Sequence, residues 1–421
     1  MILSPRGVRD AAVNAVQLAR HGHLADLRPM PADPVEGGEA RGVLRYRPPE
    51  GVVPAGPPVL FVPPPSAPAR CYDLRRGCSL AEHVVRAGRR SYLLDPARAG
   101  GPAHAGATAR ADDGAHAYAA GRGGRDAGLR EWVRDLLPDA IRAVSRDAGG
   151  QPVQLVGWCL GGVVSLLAAA DDPDLPIASV AAIAAPVDVR AARLPVRLPA
   201  PHLPSPHLPS PHLPVPHLPV PHLSVPHLSV PPPWPGLARA AAAEVFGTPF
   251  GGVPGALLKR VRRATGIDKG LLRPYRTLTH LDNADLLAQI EAVDQFTEAV
   301  PGFSGRAARR IQRALFQENA LAAGVLDIDG RRVELRRVGV PVLAIAGRGD
   351  GAAPVRSVLP LIRLLPGAPK VRFEVASGGH LDVLTGRSAR TTTWAHLDRW
   401  LDEGTVRHGI RRQRRAPAVT G

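Results

Sequence analysis

The sequence predicts an α/β fold in which a doubly wound, mostly parallel sheet carries a mostly helical cap insertion. First, short apolar runs alternate with stretches of helical periodicity, as a parallel sheet covered on both faces requires. Second, this alternation stops for a long interval and resumes near the end of the chain. Third, 421 residues with 45% apolar composition suffice for one large core with such an insertion.

The individual elements follow from apolar periodicity and from Gly and Pro punctuation. In the first half, strands are expected at 59–62, 90–95, 152–158 and 179–189, and helices at 7–20, 79–88, 129–150 and 160–170. In the second half, strands are expected at 340–347 and 370–376, and helices at 355–365 and 391–401. In the insertion, helices are expected at 240–246, 256–266, 281–293 and 305–324.

These elements divide the chain into six parts. Residues 1–50 are predicted to be an N-terminal helical or extended segment, 51–190 the first half of the core, 191–236 a Pro/His-rich repeat, 237–335 the helical cap, 336–403 the second half of the core, and 404–421 a basic disordered tail.

Composition narrows the class of protein. The three cysteines are an odd and sparse set, which does not fit a disulfide framework. The sequence shows no N-terminus of the signal-peptide type. It also shows no apolar run of the ~20 residues that a membrane span needs. We therefore expect a cytoplasmic protein without a transmembrane segment. The net charge of +16 fits either codon bias or attraction to a polyanion, which could be nucleic acid, an anionic surface or the phosphates of a CoA-like substrate. Nucleic acid is disfavoured because aromatic residues make up only 4%.

A five-residue repeat, PHLPS followed by its variants, fills 201–230. Proline at this density excludes helix and interior strand, so polyproline II or disorder is expected. Its regularly spaced histidines suggest metal binding, but the five-residue period spreads them around a polyproline axis. No metal site is therefore predicted in the repeat. A tolerated repeat expansion and a docking segment for a partner stay open as explanations. The histidines are His202, His207, His212, His217, His222 and His227.

The most informative motif is Gly157-Trp158-Cys159-Leu160-Gly161, between a predicted strand and a predicted helix. It fits G-x-nucleophile-x-G, the strained strand-to-helix turn that lifts a nucleophile out of a sheet. Glycines flank the nucleophile because larger side chains would collide with the turn. The helix N-terminus and a nearby imidazolium would both favour a thiolate at Cys159. The backbone amide of Leu160 is then predicted to stabilise an oxyanion.

Two later strands are each followed by a residue that could complete a catalytic triad. Asp350 follows the strand 340–347, and His380 follows 370–376, in the order nucleophile, acid, histidine. His380 would act as general base and Asp350 would orient it. Other candidate acids are Asp382, Asp188 and Asp95, of which Asp188 is expected to have a structural role.

A second oxyanion donor is expected in the loop after the strand 59–62. That loop reads Pro63-Pro64-Pro65-Ser66-Ala67, and proline has no N–H to offer. Ser66 is therefore the predicted donor, with Ala67 as the other choice.

Taken together, these motifs resemble polyhydroxyalkanoate synthases and their α/β-hydrolase relatives, from about residue 40 to 402 except the repeat. The segments that carry the resemblance are VLFVPP, YDLRRGCSL, VQLVGWCLGG, AAPVDV, FQENALAAGVLDIDGRRVEL, VPVLAIAGRGD and SGGHLDVLTGR. The resemblance implies an α/β-hydrolase fold and an acyltransferase that uses 3-hydroxyacyl-CoA as substrate. It also implies that the enzyme needs no metal and no cofactor. It implies that Cys159 carries the growing acyl chain, that His380 activates the cysteine, and that Asp350 lies near the incoming hydroxyl.

Some features depart from the synthase pattern. Asp350 is followed by Gly-Ala-Ala-Pro instead of a His-containing or bulky apolar run, and the repeat interrupts the cap. One alternative is therefore a Cys-dependent hydrolase, either a thioesterase or esterase or a protein similar to dienelactone hydrolases. Another is a non-catalytic protein that binds polymer inclusions. The expected partners are an acyl-CoA or ester substrate, a second copy in a homodimer and the surface of a polymer granule.

Overall fold

The computed structural model of the chain describes residues 5–35, 42–65, 67–98, 128–191, 279–299, 311 and 313–408. The strands are β1 (Ala32–Pro34), β2 (Val43–Tyr46), β3 (Ala55–Val62), β4 (Arg89–Leu94), β5 (Val153–Trp158), β6 (Ile177–Ile183), β7 (Val325–Ile328), β8 (Arg331–Glu334), β9 (Val342–Gly347) and β10 (Val371–Ala376). The helices are α1 (Pro5–His21), α2 (Leu80–Arg86), α3 (Leu137–Asp147), α4 (Leu160–Asp171), α5 (Ala284–Ala299), α6 (Val355–Val358), α7 (Leu361–Leu364), α8 (Asp382–Thr385) and α9 (Thr393–His408).

The main sheet has eight strands in the order β1-β2-β4-β3-β5-β6-β9-β10. β2 runs antiparallel to both of its neighbours, and the other neighbouring pairs are parallel. Helices α2, α3 and α4 each connect two parallel strands, as βαβ units require. This topology confirms the predicted fold class, an α/β-hydrolase fold with a doubly wound, mostly parallel sheet.

The core is built around β5, β6 and α4, which are buried at every position. Because α4 is surrounded on all sides, it is made almost entirely of Gly, Ala, Val and Leu. Its last residue, Asp171, is the exception and forms ion pairs with Arg134 at 3.1 Å and Arg331 at 3.2 Å. These pairs compensate the carboxylate for its loss of water.

The helix predicted over 355–365 is broken into α6 and α7. Pro360 lies between them and has no N–H to donate to the helical ladder, so the continuous helix was a wrong prediction.

The helix predicted over 305–324 is also interrupted. The described part has one helical turn, Arg313–Gln317, and a second, Ala320–Ala323, on either side of Asn319. Asn319 has a φ of 55°, a left-handed conformation that ends a helix.

The next segment, within the interval predicted to be the helical cap, is the antiparallel hairpin β7–β8. Its turn is Asp329-Gly330, with φ values of 51° and 79°. Asp-Gly is a strong hairpin signal because both turn residues need positive φ. The signal was present in the sequence, and the prediction missed it.

Several predictions lie outside the described residues. They concern the repeat at 201–230, the helices at 240–246 and 256–266, the predicted oxyanion donor Ser66, and most of the basic tail. In the described part of the chain, no helix combines the length and apolar character that crossing a bilayer requires.

Candidate active site

Cys159 lies at the sharp turn between β5 and α4, with φ of 53° and ψ of −123°. This conformation is strained for a residue with a side chain. The glycines make the turn possible, since a Cβ on Gly157 would lie 2.5 Å from the amide nitrogen of Gly162. A Cβ on Gly161 would lie 2.1 Å from the carbonyl oxygen of Val62. The predicted steric reason for the G-x-C-x-G spacing is therefore present in the structure.

Asp350 lies just past the end of β9, and its carboxylate is buried. One oxygen, Oδ1, accepts hydrogen bonds from the backbone N–H groups of Ala352 at 2.8 Å and Ala353 at 2.7 Å. The other, Oδ2, lies 2.8 Å from Nδ1 of His380. The tight turn after Asp350 thus fixes one oxygen and aims the other at the imidazole.

His380 follows β10 and connects Asp350 to Cys159. Its Nδ1 pairs with Asp350, and the Cys159 side chain is near enough to the ring to raise the pKa of His380. Burial alone would lower the pKa of His380, but the negative charge on the sulfur and the bonds to Cys159 and Asp350 raise it to about 10. His380 therefore lies between the Asp350 carboxylate and the Cys159 sulfur, and this setting favours its protonated form.

The structure brings Cys159, Asp350 and His380 together, as the sequence predicts. β5, β9 and β10 belong to the parallel part of the sheet, and their carboxyl ends face one edge. That edge is where ligands bind in open α/β sheets.

Two of the alternative acids, Asp188 and Asp95, have other partners. Asp188 accepts hydrogen bonds from the Asn319 side chain and the amide of Ala191, so it ties the segment after β6 to the chain that returns from the cap. Although burial opposes it, these bonds hold the pKa of Asp188 below its usual range. Asp95 pairs with Arg98 after β4.

Of the candidate oxyanion donors, Leu160 and Ala67 lie within the described residues. Leu160 is the first residue of α4, where backbone N–H groups have no partner within the helix. Ser66 lies outside the described residues. The amide of Ala67, the other choice, donates to the carbonyl oxygen of Pro64 at 3.1 Å, so that turn already uses it.

Sequence reasoning missed two residues that support the site, Trp158 and Tyr72. The indole N–H of Trp158 donates to the carbonyl oxygen of His380 at 3.0 Å. The hydroxyl of Tyr72 accepts the backbone N–H of Trp158 at 2.8 Å and donates to the carbonyl oxygen of Val62 at 2.7 Å. The only sequence signal was an aromatic residue inside the motif.

Cys71 and Cys78 are fully buried and have backbone carbonyls as neighbours. Burial raises the pKa of the Cys71 thiol well above its usual value, which keeps it protonated. Among the described residues, no three His, Cys, Asp or Glu side chains are grouped so as to hold a metal ion.

Helix α5 from the insertion covers the site. The ring of Phe296 lies 6.4 Å from that of Trp158, and Cys159 is only 3% exposed. At the other end of α5, the buried Arg75 donates to Asp285 at 2.7 Å and to Gln289 at 2.9 Å. The cap helix is therefore fastened to the core at both ends.

Comparison with known proteins gives one curated relative, the poly(3-hydroxyalkanoate) polymerase subunit PhaC of Haloferax mediterranei. It is 23% identical over 155 residues, which are 37% of this chain and 31% of that protein. The chain thus aligns with about a third of its relative's length. This match supports the resemblance to polyhydroxyalkanoate synthases. No family model matches the chain.

Solved structures of similar proteins are enzymes or proteins with the α/β-hydrolase fold. A proline iminopeptidase from Mycobacterium smegmatis is 18% identical, with 90% of this chain and 100% of that chain covered and a TM-score of 0.44. An esterase from Rhodococcus is 12% identical, with 89% and 99% covered and a TM-score of 0.43. An α/β-hydrolase fold protein from Nakamurella multipartita is 14% identical, with 89% and 100% covered and a TM-score of 0.42.

Proposed function

We propose that this protein is an acyl-transferring enzyme that resembles polyhydroxyalkanoate synthases and uses Cys159, His380 and Asp350 on hydroxyacyl-CoA thioesters. The observation that carries the proposal is the chain of contacts from Asp350 through His380 to a cysteine held at a strained strand-to-helix turn. Such a chain serves covalent catalysis because the acid orients the base and the base faces the nucleophile.

The first step is attack of the Cys159 thiolate on the thioester carbonyl. A new carbon–sulfur bond forms, the bond to the CoA sulfur breaks, and the imidazolium of His380 protonates the departing CoA thiolate. The Leu160 amide stabilises the oxyanion in between. The products are free CoA, an acyl-Cys159 thioester and a neutral His380.

Acylation prepares the second step through electrostatics. Negative charge on Cys159 is one of the causes of the raised pKa of His380, and the thioester removes that charge. His380 therefore becomes a base only after the acyl group is in place. It then accepts the proton of the incoming hydroxyl, whose oxygen attacks the acyl carbon, and the thiolate leaves.

A cysteine suits transfer between thioesters. Moving an acyl group from the CoA sulfur to the Cys159 sulfur exchanges one thioester for another, so little free energy is lost before the acceptor arrives. This property favours cysteine over serine as the nucleophile for chain transfer.

A hydrolase is the second candidate. Both oxygens of Asp350 are already used, one by two backbone amides and the other by His380. His380 alone is then left to activate the acceptor, and an imidazole activates water in the same way as an alcohol.

The test is incubation with 3-hydroxybutyryl-CoA, with CoA release followed by a thiol reagent and the product identified by mass. Cys159→Ala should abolish release, whereas Cys78→Ala, which removes a buried cysteine outside the site, should retain it. An oligomeric ester identifies a synthase, and free 3-hydroxybutyrate identifies a thioesterase. Equal CoA release by wild type and Cys159→Ala would overturn the proposed mechanism.

A further inference from the structure

Trp158 is the residue before the nucleophile, yet its side chain reaches the loop that holds the base. Its indole N–H donates to the carbonyl oxygen of His380 at 3.0 Å, across 222 positions of sequence. Its ring also lies against the imidazole, with centroids 5.0 Å apart and planes inclined by 37°. One side chain thus contacts both the backbone and the ring of His380.

Trp158 is itself buried and held in place by its neighbours. It is 5% exposed, its backbone N–H is bonded to the hydroxyl of Tyr72, and its ring meets Phe296 from the cap helix. Because this side chain is fixed, it can also fix the position of the His380 ring and backbone that it contacts. The distance between the nucleophile and the base is therefore set by one residue that is continuous with the nucleophile.

The ring contact also has an electrostatic consequence. His380 carries a positive charge over the neutral pH range, and an aromatic face within about 6 Å of a cation attracts it. The indole also takes the place of water on that side of the imidazolium, and the N–H bond prevents the His380 loop from rotating away.

We propose that Trp158 is a positioning residue, which holds the His380 imidazole toward the Cys159 sulfur by its indole N–H and its ring. The inference rests on the proposed catalytic pair of Cys159 and His380, and it adds a role for the residue between the motif's first glycine and its nucleophile. A residue that only filled the core would have no effect on the charge state of the pair.

The chain contains a closely matched control, Trp394. It is also 5% exposed, its indole N–H donates to the carbonyl oxygen of Leu384 at 2.9 Å, and its ring lies 4.8 Å from that of His83 at 32°. His83 pairs with Asp398, not with a nucleophile. Substituting Trp394 therefore removes the same kinds of contact at a place without chemistry.

The test compares Trp158→Phe, Trp158→Leu and Trp394→Phe by the pH dependence of Cys159 alkylation with iodoacetamide, followed by peptide mass. Thermal unfolding is measured on all three. Trp158→Phe keeps a ring but loses the hydrogen bond, and it should slow alkylation about fivefold near neutral pH. Trp158→Leu loses both and should slow it about tenfold or more, with a rate that rises with pH as for an ordinary thiol.

Trp394→Phe should lower thermal stability as much as Trp158→Phe and leave the pH profile unchanged. An unchanged profile in Trp158→Phe would overturn the inference, and this conservative variant decides the question if Trp158→Leu does not fold. A wild-type rate that itself rises through neutral pH like a free thiol would instead contradict the proposed pairing of Cys159 with His380.

Discussion

At the scale of single residues, the charge on His380 determines how the site responds to pH. Its pKa is raised to about 10 despite burial, because the Cys159 sulfur and Asp350 both stabilise the imidazolium. A histidine with a raised pKa keeps its proton until the pH passes that value. The positive charge on His380 is therefore present at neutral pH and is lost as the pH rises through about 10.

We expect the rate of Cys159 alkylation by iodoacetamide to be nearly constant between about pH 7 and 9. A free thiol with a pKa of about 8.5 would instead react about 25-fold faster at pH 9 than at pH 7. Asp350→Asn removes the charge that pairs with Nδ1, so the rate should fall near neutral pH and rise with pH. Identical profiles for the wild type and Asp350→Asn would show that the carboxylate does not support the pair.

Gln154 illustrates the cost of a buried polar group. It is completely buried on β5 beside Gly404, and neither its Oε1 nor its Nε2 has a hydrogen-bond partner. An unpaired buried amide costs about 1–3 kcal/mol. Gln154→Met keeps the length and removes both polar atoms, so the free energy of unfolding should rise by about 1 kcal/mol or more in denaturant titration.

Gln289→Met is the control for that substitution. Gln289 is also buried, but it accepts from Arg75 and donates to the carbonyl oxygen of Thr385 at 3.1 Å. Removing its amide takes one hydrogen bond away from each partner and should lower stability. If both variants shift stability in the same direction, the unpaired state of Gln154 is not what determines its effect.

At the scale of secondary-structure elements, we expect helix α5 to limit access to the nucleophile. Arg75 fastens the start of α5 by bonds to Asp285 and Gln289, while Phe296 near its end lies against Trp158. Asp285 also pairs with Arg387 and Arg390, so it keeps partners when Arg75 is replaced.

Arg75→Met should loosen α5 and make Cys159 react faster with iodoacetamide, by up to about tenfold, since charge-assisted hydrogen bonds contribute more than neutral ones. Arg142→Met is the control, because Arg142 forms exposed ion pairs with Asp139 and Asp172, which contribute little. Equal alkylation rates in wild type and Arg75→Met would mean that α5 does not limit access.

The sequence predicted those elements whose signals are local. Glycines around Cys159 identified the elbow, and Asp350 and His380 were placed at strand ends by the alternation of strand and helix. The reversed direction of β2 could not be predicted, since it depends on pairing with β1 and β4. The contacts of Trp158 and Tyr72 join segments that are distant in sequence, so no local pattern reveals them.

At the scale of the whole molecule, the eight-stranded sheet and the three catalytic candidates lie within the described residues. The sheet continues from β6 directly to β9, although the chain between them includes the repeat at 201–230 and the cap. Strand pairing at this junction, from Val180 with Val342 to Ile183 with Ile345, involves no residue of the repeat. The core and the repeat are therefore expected to be separable.

Deletion of 201–230 should leave the core folded and the alkylation profile of Cys159 unchanged. Shortening a connection changes its closure free energy by only a fraction of a kcal/mol, so the unfolding midpoint should stay within about 2 °C of that of the full chain. The measurement is thermal unfolding by circular dichroism, with alkylation as the readout of the site. A large loss of midpoint would show that the repeat contributes to the folded structure. A changed alkylation profile at an unchanged midpoint would mean that it acts on the active site.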